Sequence, residues 1–225
     1  MKTITLTVSN RPQYLKQFLY NLSKCEEIDK YKLIIGIEPL CKLSKQMCED
    51  ISFIDTELIY NKTVLGVKQN PYNLLCNVFE YSNFNIYLEE DTLVSNDVLL
   101  MSDYYYNNRL YEKYPILCLS NFESLDYINN VDEFEEMSTK KFTPFSWATV
   151  KNNWIENMSK WWNIENVGWD FNITSNLNYN LLLPVCSRCN HIGEYGVHMV
   201  PEYHVKTYAL HSYYKGNPIK KFKIR

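Results

Sequence analysis

The first half of the chain switches between two hydrophobic periods. Residues 1–8 (Met-Lys-Thr-Ile-Thr-Leu-Thr-Val) alternate polar and apolar side chains, the period of a strand over Thr3 to Val8. Asn10-Arg11-Pro12 then opens a helix, since proline in a first turn forfeits no hydrogen bond; Leu15, Phe18, Leu19 and Leu22 share one face of it. Tyr31 to Ile37 is a nearly continuous apolar run, the pattern of a buried parallel strand. A weaker helix over Leu43 to Ile51 and a short strand over Glu57 to Tyr60 follow. Asn70-Pro71 starts another helix, carrying Leu74, Leu75, Val78 and Phe79. Asn85 to Leu88 is a fourth strand and runs into Glu89-Glu90-Asp91. Ser95 is placed to cap a helix from about Asn96 to Tyr111, and Ile116 to Ser120 is a fifth strand.

Strand and helix in alternation predict an α/β fold, a doubly wound and mostly parallel sheet flanked by helices. In such sheets ligands bind outside the carboxyl ends of the strands. Arg11, Glu38 and Glu89 to Asp91 all follow strands, so these polar groups are expected to converge on one edge. The second half is less regular. Asp126 to Glu136 reads as an acidic surface loop, Phe145 to Val150 as a strand, and Lys151 to Trp162 as an amphipathic helix. Asp170 to Asn180 reads as a helix with Asp170 as its cap. Residues 215–225 form a tail holding Lys215, Lys220, Lys221, Lys223 and Arg225. No repeat or linker interrupts the 225 residues, and a single domain is expected.

Composition narrows the function classes. Hydrophobic residues make up 46% and charged residues 22%, the profile of a globular chain. A net charge of −3 argues against a surface built throughout for nucleic acid or anionic membrane. With only six glycines the chain holds neither G-x-G-x-x-G nor a P-loop, which removes the dinucleotide and Walker-type sites. No run of 18 apolar residues is present to span a membrane, and the amino-terminal pattern is too short for a signal peptide. Seven scattered cysteines, an odd number, argue against a disulfide framework; a reducing cytoplasm is the expected compartment.

Candidate chemistry concentrates in Leu88-Glu89-Glu90-Asp91. Three carboxylates directly after a buried strand are costly unless a cation pairs with them. A hard divalent cation on a diphosphate would serve; a solvated acidic turn is the plainer reading. Cys186-x-x-Cys189 with His191 and His198 is a possible zinc set, although the histidine spacing lies outside the usual finger range; small buried thiols are the plainer reading. Trp147, Trp154, Trp161, Trp162 and Trp169 read as core, with one of the adjacent pair Trp161-Trp162 left for a sugar or an interface. The basic tail reads as a solvated end or a contact for a polyanion such as DNA.

The stretch Ile86-Tyr87-Leu88-Glu89-Glu90-Asp91-Thr92-Leu93-Val94-Ser95-Asn96-Asp97 resembles the metal-binding segment of GT-A glycosyltransferases, above all N-acetylglucosaminyltransferase I and its O-mannose-linked relative. The resemblance implies a GT-A (Rossmann-like) fold, with residues 1–122 as a nucleotide-sugar-binding half and 123–225 as an acceptor-binding half and tail. It implies Asp91 as ligand of manganese (or magnesium) beneath a UDP-sugar, with Glu89 and Glu90 beside the donor. Thr7-Val8-Ser9-Asn10-Arg11-Pro12 is similar to the family's nucleotide loop, which puts Ser9 and Arg11 on the donor. Glu38 stands where the family aims an acidic residue at uracil, and Lys68 is a further candidate for the diphosphate. Gly168-Trp169-Asp170 resembles the segment that supplies the catalytic base, implying inversion with Asp170 as base. Cys186 to Gly196 resembles the family's Ser-Arg-x-x-His-Phe-Gly stretch, which places Arg188 by the donor; His211 in the late His-Ser-Tyr-Tyr-Lys-Gly segment is a second candidate metal ligand. GlcNAc is the sugar that the resemblance favours, and the acceptor is a hydroxyl on a glycan, a protein, a small molecule or modified DNA. Two rivals stand beside it: a nucleotidyltransferase, whose glycine-rich loop is missing after the first strand, and a non-enzymatic zinc-stabilised nucleic-acid-binding module.

Overall fold

The computed structural model describes residues 1–122, 129–137, 142–165, 168–196, 199–207 and 212–225. The amino-terminal half follows the predicted alternation: β1 (Lys2–Val8), α1 (Pro12–Leu22), β2 (Lys32–Ile37), α2 (Lys42–Glu49), β3 (Asp55–Tyr60), α3 (Gly66–Tyr81), β4 (Phe84–Glu89), a short β5 (Thr92–Val94), α4 (Val98–Asn107) and β6 (Ile116–Cys118). The remainder contains β7 (Glu133–Met137), β8 (Ser146–Val150), α5 (Lys151–Asn153), a π turn at Trp154–Met158, α6 (Ser159–Trp161), α7 (Trp169–Asn176), β9 (Leu181–Pro184), β10 (Cys189–His191), α8 (Pro201–Thr207) and β11 (Lys223–Ile224).

Among the described residues the main sheet has nine strands in the order β11-β7-β9-β6-β8-β4-β1-β2-β3, and β10 pairs with β5 in a separate ribbon. β3, β2, β1 and β4 are parallel; β8 runs antiparallel between β4 and β6. The expected mixed, mostly parallel α/β sheet flanked by helices is therefore present, and it is continuous across both halves of the chain. One apolar core lies under Ile4, Leu6 and Val8 of β1 with Leu15, Phe18 and Leu22 of α1. The polar face of β1 is largely shielded from water. Thr3 and Thr5 are fully buried, and Asn85 binds both hydroxyls, donating to Thr5 at 2.9 Å and accepting from Thr3 at 2.8 Å. Burial without unmet donors is what makes this face tolerable in the interior.

Several boundaries differ from the sequence reading. α3 begins at Gly66, ahead of Pro71, because the Glu38 carboxylate accepts the N–H groups of Leu65 and Gly66 that no helical carbonyl serves. The same helix rides close on β2: Asn70 donates to the Gly36 carbonyl at 3.1 Å, and a Cβ on Gly36 would run into the Asn70 amide. α4 starts at Val98, so Ser95 is not its cap; the Ser95 hydroxyl binds Asp97 instead. Within the segment read as an acidic loop, residues 133–137 form a strand against β9. The basic tail folds onto that strand. Lys223–Ile224 pair in parallel with β7, Phe222 is buried, and Lys223 reaches Glu133 at 3.1 Å. Four tryptophans are buried, and Trp161 packs on Tyr179. Among the described residues no helix is long and apolar enough to cross a membrane.

Candidate active site

β1 and β4 lie side by side in parallel register, Thr7 opposite Glu89, so the segments that leave them emerge together at one sheet edge. Ser9 donates its backbone N–H to Glu90 Oε2 at 3.0 Å. Arg11 donates through Nε to Glu90 Oε1 at 2.9 Å and through Nη1 to Asp91 Oδ2 at 2.5 Å. Tyr87 donates its hydroxyl to Glu89 Oε1 at 3.1 Å. Glu90 and Asp91 are each 1% exposed, which rules out the solvated-turn reading. Arg11 meets two of these carboxylates and keeps about a quarter of its side chain in water.

The three carboxyl groups are electrostatically distinct. Burial, then the charge of Asp91, pushes Glu89 up to about 7. Burial also raises Glu90, against the pull of Arg11. Burial would raise Asp91 as well, but the hydrogen bond from His191 and the charges of His191 and Arg11 outweigh it and hold that carboxyl below its ordinary value. Of the three, Asp91 is the one whose carboxyl is held below its ordinary value.

The β5–β10 ribbon builds the other wall. His191 stands opposite Thr92, and its Nε2 lies 3.4 Å from Asp91 Oδ2. Ile192 donates its N–H to the Asp91 carbonyl at 2.8 Å. The sequence offers His191 as a member of the zinc set and as the histidine of the Ser-Arg-x-x-His-Phe-Gly-like stretch, but not its pairing with Asp91, because nothing local announces a contact across a hundred residues. Gly193 sits so close to Asp91 that a Cβ would overlap the carboxylate, whereas a Cβ on Gly196 would meet Arg11 Nη1 only at 3.5 Å. Gly193→Ala is expected to cost about 1–3 kcal/mol through overpacking and, on the donor role that the sequence resemblance implies, to weaken UDP binding, while Gly196→Ala behaves like wild type. Thermal denaturation and calorimetric titration with UDP check both.

Asp91 Oδ1 is buried and has no hydrogen-bond partner among the described residues. A hard, ionised carboxylate oxygen left unpaired fits a divalent cation as one ligand. No group of three or more His, Cys, Asp or Glu side chains among the described residues is arranged to hold a metal by itself. The remaining ligands would have to be donor oxygens and water. His211 lies outside the described residues, as does His198 of the zinc set. Cys186 and Cys189 are buried thiols, and His191 faces Asp91, so the described members of that set do not assemble a zinc site.

The other predicted residues divide. Glu38 is buried and committed to the start of α3. Lys68, in the first turn of α3, takes the Trp162 indole N–H on its carbonyl at 3.1 Å. Arg188 is not brought to the acidic cluster: it is fully buried, pairs with Asp97 at 2.9 Å, donates to the Cys186 and Val131 carbonyls, and faces the Tyr214 ring at 4.6 Å. Asp170 is not a cap, since Gly168 at φ 77° holds the N-cap position and Asp170 falls inside the first turn. Its helix is anchored at the site edge: Trp169 stacks on Trp162 at 3.8 Å and stands edge-on to Tyr87, the partner of Glu89.

The sheet has the GT-A fold found in solved glycosyltransferase structures. Among solved structures, S. aureus TarS 1-349 in complex with UDP-GlcNAc is similar at a TM-score of 0.64 and 11% identity, over 88% of this chain and 62% of that one. A second TarS 1-349 structure gives 0.63 and 10%, over 86% and 61%. The mannosyltransferase PcManGT from Pyrobaculum calidifontis, in complex with GDP-Man and Mn2+, gives 0.50 and 11%, over 69% and 46%. The chain thus spans about three fifths of the TarS 1-349 structures. At these identities the likeness is one of fold. No protein-family model matches the chain, and no curated protein is similar to it in sequence. The likeness to N-acetylglucosaminyltransferase I rests on the motifs alone.

Proposed function

We propose that the protein transfers a sugar from a nucleoside diphosphate sugar to an acceptor hydroxyl. The observation that carries this reading is the buried Asp91 carboxylate with one oxygen unpaired, set beside Arg11 at the carboxyl edge of a GT-A sheet. The donor is a UDP-sugar, with UDP-GlcNAc the first to try. Ser9, Arg11 and Glu90 form one preassembled corner where the donor sits. Asp91 would hold Mn2+ or Mg2+, which when bound supplies positive charge to the diphosphate leaving group. Arg11, partly exposed, and Lys68 add charge from the protein itself.

Asp170 takes the proton of the attacking hydroxyl, which is too weak a nucleophile when neutral. The new bond from the acceptor oxygen to the anomeric carbon forms as the bond to the diphosphate breaks. The electron pair leaves with the diphosphate, and the configuration inverts. Asp170→Asn keeps size and polarity in the first turn of α7, where Gly168 holds the N-cap position. Donor affinity is expected to hold while turnover falls by about 10² or more. A variant that turns over like wild type, or a product that retains the donor's configuration, removes Asp170 from this role. The test of the reading as a whole is a panel of nucleotide sugars with Mn2+, scored by donor hydrolysis; no hydrolysis of any member would overturn it.

A further inference from the structure

Phe171 is the most exposed large apolar side chain among the described residues, 68% in water. It follows Asp170 directly in the first turn of α7. The aromatic residue on the other side of Asp170 is used differently. Trp169 is buried, stacked on Trp162 with planes 7° apart and edge-on to Tyr87 and Phe142. The helix thus rests on a rigid aromatic stack and turns one ring outward.

That ring is held in a particular place. Gly168 has φ 77°, and a Cβ added there would strike the Phe171 ring and come within 3.0 Å of Asp170 Oδ1. Ring and carboxylate therefore lie against the same glycine and border one patch of surface. Nearby, Lys68, tied to Trp162 through its carbonyl, lines a cavity of about 540 Å³ with Val67 and Ile164.

We propose that Phe171 is a stacking platform for a pyranose ring, and that the acceptor is accordingly a carbohydrate presenting one hydroxyl to Asp170. The role of Asp170 in this statement rests on the proposed function above. A pyranose has an apolar face of C–H groups and a rim of hydroxyls. A flat aromatic surface suits the first and a neighbouring carboxylate the second. Phenylalanine brings no hydrogen-bonding group of its own, so the platform selects a sugar face while Asp170 selects a hydroxyl.

The test needs neither donor nor metal. Saturation-transfer NMR is run with methyl β-D-glucopyranoside, methyl β-D-galactopyranoside and methyl α-D-mannopyranoside, with cyclohexanol as an apolar control. The wild type is expected to saturate the ring C–H protons of at least one glycoside. Phe171→Ala should bind that glycoside about fivefold more weakly or worse, while Phe171→Trp retains it. Because the ring is exposed, both variants should melt like wild type. Absence of glycoside binding to the wild type, equal binding by Phe171→Ala, or binding of cyclohexanol alone overturns the platform. Wild-type donor hydrolysis, measured separately, decides the enzymatic reading; sugar binding that depends on Phe171 supports the platform whichever way that assay falls.

Discussion

Asp91→Ala is expected to abolish Mn2+-dependent UDP binding and sugar transfer while leaving a cooperatively folded protein. The carboxylate is nearly fully buried, yet only one of its oxygens is engaged, by Arg11 and His191. Its loss does not strand Arg11, which keeps Glu90 and about a quarter of its side chain in water. It also lightens the burden on Glu89, whose carboxyl is held up first by burial and then by the charge of Asp91. The fold therefore loses little, whereas the proposed cation site loses the buried, unpaired oxygen of Asp91. Calorimetric titration of UDP with and without Mn2+, on wild type and variant, measures this directly. Binding that ignores Mn2+ and is unchanged in the variant sinks the assignment.

Arg188→Leu is expected to cost about 3–5 kcal/mol of stability, because it strips the partner from a buried charge. Arg188 and Asp97 are both fully buried and 2.9 Å apart. The guanidinium also satisfies the carbonyls of Cys186 and Val131 and lies against the rings of Tyr214 and Phe222. Without it, Asp97 retains, among the described residues, the Ser95 hydroxyl and the Ile219 N–H within hydrogen-bond reach. The second change Asp97→Leu should restore part of the loss, since an apolar pair leaves no charge behind. Urea denaturation of the single and double variants gives both numbers. A single variant within about 1 kcal/mol of wild type would contradict the placement of Arg188. In this structure the residue ties the approach to β10 to the carboxyl-terminal segment.

The elements that periodicity predicted are those whose stabilising contacts lie on their own apolar faces. β1, β2, β4 and α1 present unbroken stripes, such as Leu15, Phe18 and Leu22, which one packed layer covers. β7, β9, β10 and β11 are two to five residues long, too short for a period to emerge. Their pairing is fixed by neighbours far away in sequence, as when Lys223 joins Glu133. The reading of residues 133–136 as surface loop followed from their acidic character; the strand forms because β9 offers an edge and the basic tail neutralises the charge.

The site divides along the same line. The sequence alone determined that three carboxylates follow a buried strand, that Arg11 follows its parallel neighbour, and hence that a cation must meet acid at one sheet edge. Desolvation makes that requirement independent of detail. Only the tertiary structure decided which groups meet. Arg11 closes on Glu90 and Asp91, His191 comes back across the β5–β10 ribbon, Glu38 turns to the start of α3, and Arg188 is taken by Asp97. Each of those pairings joins residues between 27 and 100 positions apart, and no local pattern of side chains encodes which partner a buried charge will find.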